Sequence, residues 1–424
     1  MSLPEKTEAR ELDGNSALKE FRAEFFHGTP ECIYLDGNSL GRLPLKTISR
    51  MERAVKGEWG ERLIRGWNEG WYTMPEKLSA QLAPVIDAEA GEVLITGTVS
   101  LNLYKLADAA LRMKSGRSTI VTDSLNFPSD IYILEGLVRN HGGHHSLRIA
   151  GSRDGISVSY DDLFELITED TALVVLSLVA FKSAFMYDMK RVNEYARSKG
   201  ALVIWDLSHA AGAVPCRLNE SGAHMAVGCT YKYLNGGPGA PGYLYIRQDL
   251  LPELEPPIQG WFGHADPFAF SLSYKPAQGI RKFMTGTPPV LSLIPLEISL
   301  EMISRAGINQ IRKQSKALCG FLVSLSEKYL YPLGFSAGFP QNENERGSHI
   351  SLRHPEGYRI CKALIQGLGG EVIIPDFREP DNIRFGISPL YNTHEELVVT
   401  VENLVKIISE RLYEQIPFQK DAVT

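Results

Sequence analysis

Lys232 stands in Cys229-Thr230-Tyr231-Lys232-Tyr233-Leu234-Asn235, an apolar and aromatic segment followed at once by Gly236-Gly237-Pro238-Gly239. Such surroundings strip water from an amine, lower its pKa and make it a nucleophile toward carbonyl carbon, while the glycines let backbone approach a ligand closely. Upstream, Ala201-Leu202-Val203-Ile204-Trp205 runs unbroken into Asp206, with Leu207-Ser208-His209 after it. A fully apolar run marks a buried strand, so Asp206 falls at the strand's end, where an unpaired carboxylate is costly and calls for a cation. Each residue alone has a plain account: D-x-x-H also caps a helix and packs a histidine, and most lysines are simply solvated. Together they suit electron-sink chemistry, with a carboxylate holding a ring nitrogen protonated, an imidazole stacked on or bonded to the ring, and an amine holding an aldehyde.

Two polar turns could supply the rest of such a site. Thr96-Gly97-Thr98-Val99-Ser100 opens a helix, and Asn126-Phe127-Pro128-Ser129-Asp130 follows the apolar run near Val121. A helix N-terminus offers free amides and hydroxyls to a phosphate without needing a lysine, although an ordinary N-cap and a core aromatic would read the same way. The cofactor these residues fit is pyridoxal phosphate. Residues 237–242, Gly-Pro-Gly-Ala-Pro-Gly, also match the dinucleotide pattern GxGxxG, but two prolines interrupt it and a strand, Tyr243 to Ile246, follows where a helix is required.

The elements that must position these groups alternate along the middle of the chain. Apolar runs at 119–121, 172–178, 201–205 and 242–246 are separated by helical stretches such as 189–199, which predicts right-handed crossovers and a mainly parallel sheet with helices on both faces. Ligands then belong at the carboxyl ends of the strands. Before this α/β region come a short helix over 16–26, a strand-like triplet Ile33-Tyr34-Leu35, the turn cluster Asp36 to Gly41, and helical spacing over 45–110 with Trp59, Trp67 and Trp71. After Pro288-Pro289 the pattern changes to a long helix over 290–330, strands near 349–353, 372–374 and 383–385, and a closing helix over 394–413. The expected organisation is an N-terminal arm (1–44) contributing to a small domain, a large cofactor-binding domain (45–289) and a smaller α+β domain (290–424), since 424 residues exceed what one core usually covers.

Composition narrows the partners. The net charge of −6 arises from 44 basic and 50 acidic residues mixed along the chain, so no basic face for nucleic acid is expected and a small molecule is the likelier ligand. Five scattered cysteines with no CxxC pair argue against a disulfide framework or a zinc site and fit a reducing cytoplasm. The charged N-terminus and the lack of any stretch near the roughly 20 apolar residues of a membrane span predict a protein that is neither secreted nor membrane-spanning.

Together with Tyr34-Leu-Asp-Gly-Asn-Ser-Leu-Gly41, Phe127-Pro-Ser-Asp130, Gly260-Trp-Phe-Gly-His264, Thr287-Pro-Pro289 and Arg384-Phe-Gly-Ile-Ser-Pro-Leu-Tyr391, these features make the chain resemble the kynureninase family, within the aminotransferase-like (fold type I) pyridoxal-phosphate enzymes. The resemblance covers nearly the whole chain, and G-W-F-G-H and R-F-G-x-x-P-L-Y are its most specific parts. It implies that Lys232 is the Schiff-base lysine, Asp206 the pyridinium partner and Phe127 the stacking aromatic. Val99, Ser100 and Tyr231 would reach the phosphate, while Asp130, Ser177 and His209 complete the cofactor shell. Trp261 and Thr287 match positions that come from the neighbouring subunit, which implies a homodimer with shared active sites. Arg384 matches the clamp on the substrate α-carboxylate, for which a planar guanidinium is suited. Ser39, Trp71 and Trp261 would surround the aryl group, unless the tryptophans are plain core.

The implied reaction is hydrolysis of the Cβ–Cγ bond of L-kynurenine to anthranilate and L-alanine. Lys232 would take the α-proton and Tyr231 would be a candidate proton shuttle. The chain departs from the family in Leu178-Val-Ala-Phe-Lys-Ser-Ala184, so the loop over the cofactor is expected to differ. Thr287 stands where relatives preferring 3-hydroxykynurenine carry an Asn, which favours the unsubstituted substrate. A cysteine desulfurase would need a nucleophilic Cys in the region 334–347, which has none; aminotransferases and epimerases are the other rivals with this cofactor. A catalytically silent binding protein would have no need of Lys232, Asp206 and Arg384 together.

Overall fold

The computed structural model describes residues 3–417 and 419, so the outermost parts of the two expected end segments lie outside the described residues. Strand β1 (Ile33–Tyr34) is the first in the chain. Seven more, β2 (Val93–Ile95), β3 (Thr119–Asp123), β4 (Ser146–Ala150), β5 (Thr171–Ser177), β6 (Leu202–Asp206), β7 (Met225–Cys229) and β8 (Gly242–Ile246), form one sheet in the order β2-β8-β7-β6-β5-β3-β4. The ladders from β4 to β7 are parallel, and only β8 runs against the rest, antiparallel to β7 on one side and to β2 on the other.

The apolar strands are covered on both faces because neither face carries polar residues. Val174 and Leu176 of β5 with Val203 and Trp205 of β6 enter one core, together with Val192 and Ala196 of the helix Met189–Ser198. Their neighbours Leu173, Val175, Leu202 and Ile204 point the other way, into a core shared with Leu103, Leu106 and Ala110 of the helix Val99–Met113. Alternation at a period of two thus yields a three-layer α/β sandwich.

A second sheet is built from β9 (Ser336–Ala337), β10 (His349–Arg353), β12 (Asp376–Arg378) and β13 (Asn382–Gly386), antiparallel in the order β12-β13-β10-β9. Between them β11 (Ile373–Ile374) pairs in parallel with β1. Ile350, Leu352, Ile383 and Phe385 form a separate core with the helices Ile308–Leu325, Gly357–Ile365 and His394–Ser409. No helix among the described residues is long and apolar enough to cross a membrane.

Several expected elements differ. The helix over 290–330 is two, Val290–Ala306 and Ile308–Leu325, broken at Gly307, whose φ of 74° a helix does not hold. The helical stretch from 45 to 110 is interrupted by π and 3-10 turns over Ala54–Trp67 and by β2. The short helix over 16–26 narrows to a 3-10 turn, Lys19–Glu24.

Candidate active site

Asp206 and Ser177 end β6 and β5 side by side in register, at the carboxyl edge of the large sheet. The helices Val99–Met113 and Pro128–Asn140 start at this same edge, so their N-termini face the strand ends. Between them lies a cavity of about 210 Å³ lined by Val99, Ser100, Phe127, Asp130, Asp206, Tyr231 and Lys232, which the sequence singled out, and by Thr98, Ser129, Ser208, Cys229, Ala240 and Gly242. A larger cleft of about 620 Å³, bounded by residues 186–191, 214–217, 342, 344 and 345, contains none of the expected catalytic, cofactor-binding or substrate-binding residues.

Asp206 is buried, and Ser208 turns back on it, the backbone amide donating at 2.8 Å and the hydroxyl at 2.5 Å to the same carboxylate oxygen. Burial raises its pKa, while Ser208 and the Lys232 charge pull it down. Asp130, in the first turn of its helix, is pushed well above the usual carboxylate range by burial and by Asp206, and its Oδ2 has no partner. Burial lowers the Lys232 amine, with Asp206 and Cys229 opposing and Arg384 and Arg378 reinforcing the shift. The amine lies 3.1 Å from Nε2 of His209, whose imidazole burial and Lys232 hold well below its ordinary pKa. A neutral imidazole therefore faces a desolvated amine.

The walls are fixed by hydrogen bonds. Thr98 caps its helix by accepting from Leu101 N, and the Ser100 and Ser129 hydroxyls meet at 2.9 Å. Asn126 holds the next turn: its Oδ1 accepts from Phe127 N and from the Ser177 hydroxyl, while its Nδ2 donates to Thr122 and Val175. Phe127 is thereby presented 5.7 Å from Lys232 Nζ. Burial keeps the Tyr231 phenol protonated, a donor. The arm reaches the same place, with Gly41 N donating to the Tyr231 carbonyl at 2.7 Å. A Cβ on Gly41 would collide with Asn235 Oδ1, so the turn Asp36 to Gly41 needs glycine to lie this close to Lys232.

On the second sheet Arg384 is buried. Its guanidinium pairs with Asp376 and donates to Ser39 Oγ at 3.1 Å and to the Phe181 carbonyl. Asp376 also pairs with Arg378 at 2.8 Å. The loop 178–184, where the sequence departs from its family, is therefore gripped at Phe181, whose ring meets Phe127 edge-on at 5.3 Å.

Three predicted residues lie elsewhere within the chain. Trp71 packs edge-on to Trp67 and donates to Glu58, and Trp67 leans on Phe262. Trp261 is 44% exposed and Thr287 is exposed, both away from the cavity around Lys232. Residues not singled out include Ser208, Asn126, Asn38, His349 and Asp376. Ser208 carried a signal, since a strand-end Asp draws the backbone amide two places on into an Asx turn; the others are single polar residues in apolar or turn segments, with nothing periodic to mark them.

Two buried carboxylates facing one lowered amine leave the cavity short of positive charge, and hydroxyls gather at a helix N-terminus across from them. Both features fit pyridoxal phosphate, whose pyridinium nitrogen and phosphate are complementary to them. A fold type I scaffold with this site defines a pyridoxal-phosphate enzyme of the aminotransferase class-V family, whose family model, Aminotransferase class-V, matches residues 33–354. Within that class, the chain belongs to the kynureninase family. The Kynureninase C-terminal domain matches residues 311–404, and the chain is 40% identical over 414 residues to the kynureninase of Pseudomonas fluorescens, covering 96% of each. It is 39% identical over 409 residues to that of Burkholderia pseudomallei strain K96243, covering 95% of each. Among solved structures, a cysteine desulfurase from Thermococcus onnurineus NA1 superposes with a TM-score of 0.78 at 19% identity, over 92% of this chain and 98% of that one. The Escherichia coli cysteine desulfurase CsdA gives 0.76 at 18%, over 94% and 99%. At such identities the likeness is one of fold.

Proposed function

We propose that this enzyme hydrolyses L-kynurenine, adding water across the Cβ–Cγ bond to release anthranilate and L-alanine. The observation that carries the reading is the desolvated Lys232 amine, 3.1 Å from a neutral His209 and facing the buried Asp206 at the strand ends. Kynureninase relatives at about 40% identity over nearly the full length support the substrate.

Bound pyridoxal phosphate supplies an aldehyde for the substrate amine and a cationic ring that accepts the electron pair left when a bond at Cα breaks. Asp206 would hold the proton on the ring nitrogen. Phe127 would stack on the ring and His209 would meet it near the amine, while Thr98, Val99, Ser100 and Ser129 would hold the phosphate at the helix N-terminus. Asp130 and Ser177 steady this shell, Ser177 through Asn126. Lys232 Nζ takes the proton from the substrate Cα, and Tyr231, protonated, gives and takes a proton at its phenol oxygen beside the phosphate. Arg384 would bind the α-carboxylate, and Ser39, expected from the sequence beside the aryl group, would join it there because its hydroxyl accepts from Arg384 at 3.1 Å.

Trp261 and Thr287 act in the neighbouring subunit's site of a homodimer, with Trp71 behind them toward the aryl group. The aromatic loop that carries Trp261 supports this, since Phe268 is 52% and Phe270 73% exposed, which a lone protomer would leave wet. Thr287 favours unsubstituted kynurenine over the 3-hydroxylated form. The division into an arm, a large domain and a small domain, and a place in the cytoplasm, are part of the same reading. The test is to supply L-kynurenine and 3-hydroxykynurenine separately to the holoenzyme and follow the two aminobenzoate products; turnover of neither would end the kynurenine assignment.

A further inference from the structure

Around Arg384 several buried polar atoms lack partners: both carboxamide atoms of Asn38, one carboxylate oxygen of Asp36 and Nε of Arg384 itself. His349 is fully buried, and neither ring nitrogen makes a well-formed hydrogen bond, although the Phe181 carbonyl approaches it. Buried polar groups are nearly always satisfied, so orphans gathered at one place mark where a polar ligand belongs.

The strand register puts them on one face. His349 lies opposite Gly386 and Ser351 opposite Arg384 in the β10–β13 ladder, so His349, Ser351 and Arg384 project to the same side. Gly386 projects nothing there, and the Asn38 carboxamide occupies the space, since a Cβ on Gly386 would overlap its oxygen. The arm is held in that position by Gly386 N donating to the Leu35 carbonyl at 2.6 Å. On its other side the His349 ring is 6.0 Å from that of His209, which carries the Lys232 contact. Asn38 and His349 thus join the Arg384 face to the amine.

We propose that Asn38 and His349 are substrate-binding residues that complete, with Arg384, the recess for the α-carboxylate of an amino-acid substrate. The proposal rests on Lys232 engaging the substrate's nitrogen. Arg384 already serves Asp376, Ser39 and the Phe181 carbonyl, so it cannot fill every lone pair of an incoming carboxylate. The Asn38 Nδ2 and a neutral His349 ring supply further donors and add no charge, so the balance of Asp36 and Asp376 against Arg378 and Arg384 is kept.

The test titrates the holoenzyme with L-alanine and with L-alaninamide, which lacks the carboxylate, following the visible cofactor spectrum, with thermal midpoint and cofactor content recorded for every variant. Asn38→Ala and His349→Leu should weaken L-alanine by about 10-fold or more and leave L-alaninamide unchanged, and Asn38→Asp should weaken L-alanine further by like-charge repulsion. His349→Gln, which keeps a donor, should restore most of the L-alanine affinity. Equal weakening of both ligands, or an unchanged L-alanine affinity in the folded variants, overturns the proposal. If Asn38→Ala or His349→Leu does not fold, the alanine-to-alaninamide ratio in Asn38→Asp and His349→Gln decides it. A wild-type enzyme that discriminates alanine from alaninamide yet leaves kynurenine intact would sink the kynurenine reading alone.

Discussion

Asp376 and Arg384 stand opposite each other on adjacent strands of the small sheet and share an ion pair in which each side chain is 1% exposed. A pair this dry contributes little over an apolar substitute, but removing one member strands the other charge. Asp376→Ala should therefore lower the unfolding free energy by roughly 3 kcal/mol, read from urea denaturation of the holoenzyme, because Arg378 and Arg384 are left facing each other. A loss near zero would mean that Asp36 alone balances both arginines.

Asp36 carries a second consequence of that cluster. Burial and the Asp376 charge raise it from 3.8 to about 7, against the pull of Arg384, Arg378 and Ser39. Between those values the folded chain holds a proton that the unfolded chain has lost, so this group's stabilising contribution is present at low pH and fades as pH rises through about 7. Ionised Asp36 also competes with a substrate carboxylate for Arg384. The KM for kynurenine should rise across neutrality in the wild type and stay flat in Asp36→Asn, as pH-dependent initial rates would reveal.

The two carboxylates by Lys232 should respond unequally to the same change. Asp206 has Ser208 and Lys232 to favour its charge, whereas Asp130 is raised by Asp206 and has an unpartnered oxygen. Asp206→Asn should cut turnover by roughly 100-fold or more and shift the cofactor spectrum, while Asp130→Asn stays within about 10-fold. Comparable losses would show that both must be ionised.

The proposed sharing of sites between two subunits can be tested by complementation. Trp261→Ala and Lys232→Ala homodimers should each be nearly inactive, and mixing them under conditions that exchange subunits should restore up to about a quarter of wild-type turnover, since each heterodimer then holds one intact site. Absence of recovery, with exchange verified by native mass spectrometry, would place Trp261 in its own subunit's site.

The sequence made the cofactor end of the site legible because its chemistry coincides with strong local patterns: Asp206 ends a fully apolar strand and Lys232 precedes a run of glycines. It was silent where geometry comes from register between distant segments. Asn38 lies over Gly386, two residues along β13 from Arg384, only because β1 pairs with β11 and Gly386 leaves room, and His349 shares a face with Arg384 only through the β10–β13 ladder. Among the strands, β4 escaped notice as an edge strand with Arg148 and exposed faces, and β7 because Met-Ala-Val-Gly-Cys is short and holds a glycine. The break at Gly307 was hidden because the apolar spacing continues across it.

One bond described above ties two walls of the site together. Arg384 donates to the Phe181 carbonyl, and the Phe181 ring rests edge-on against Phe127. Phe181 thus links the small sheet to the cavity wall, its carbonyl held by Arg384 and its ring set against Phe127. An arginine of the small sheet therefore helps to set where the aromatic wall of the Lys232 cavity stands.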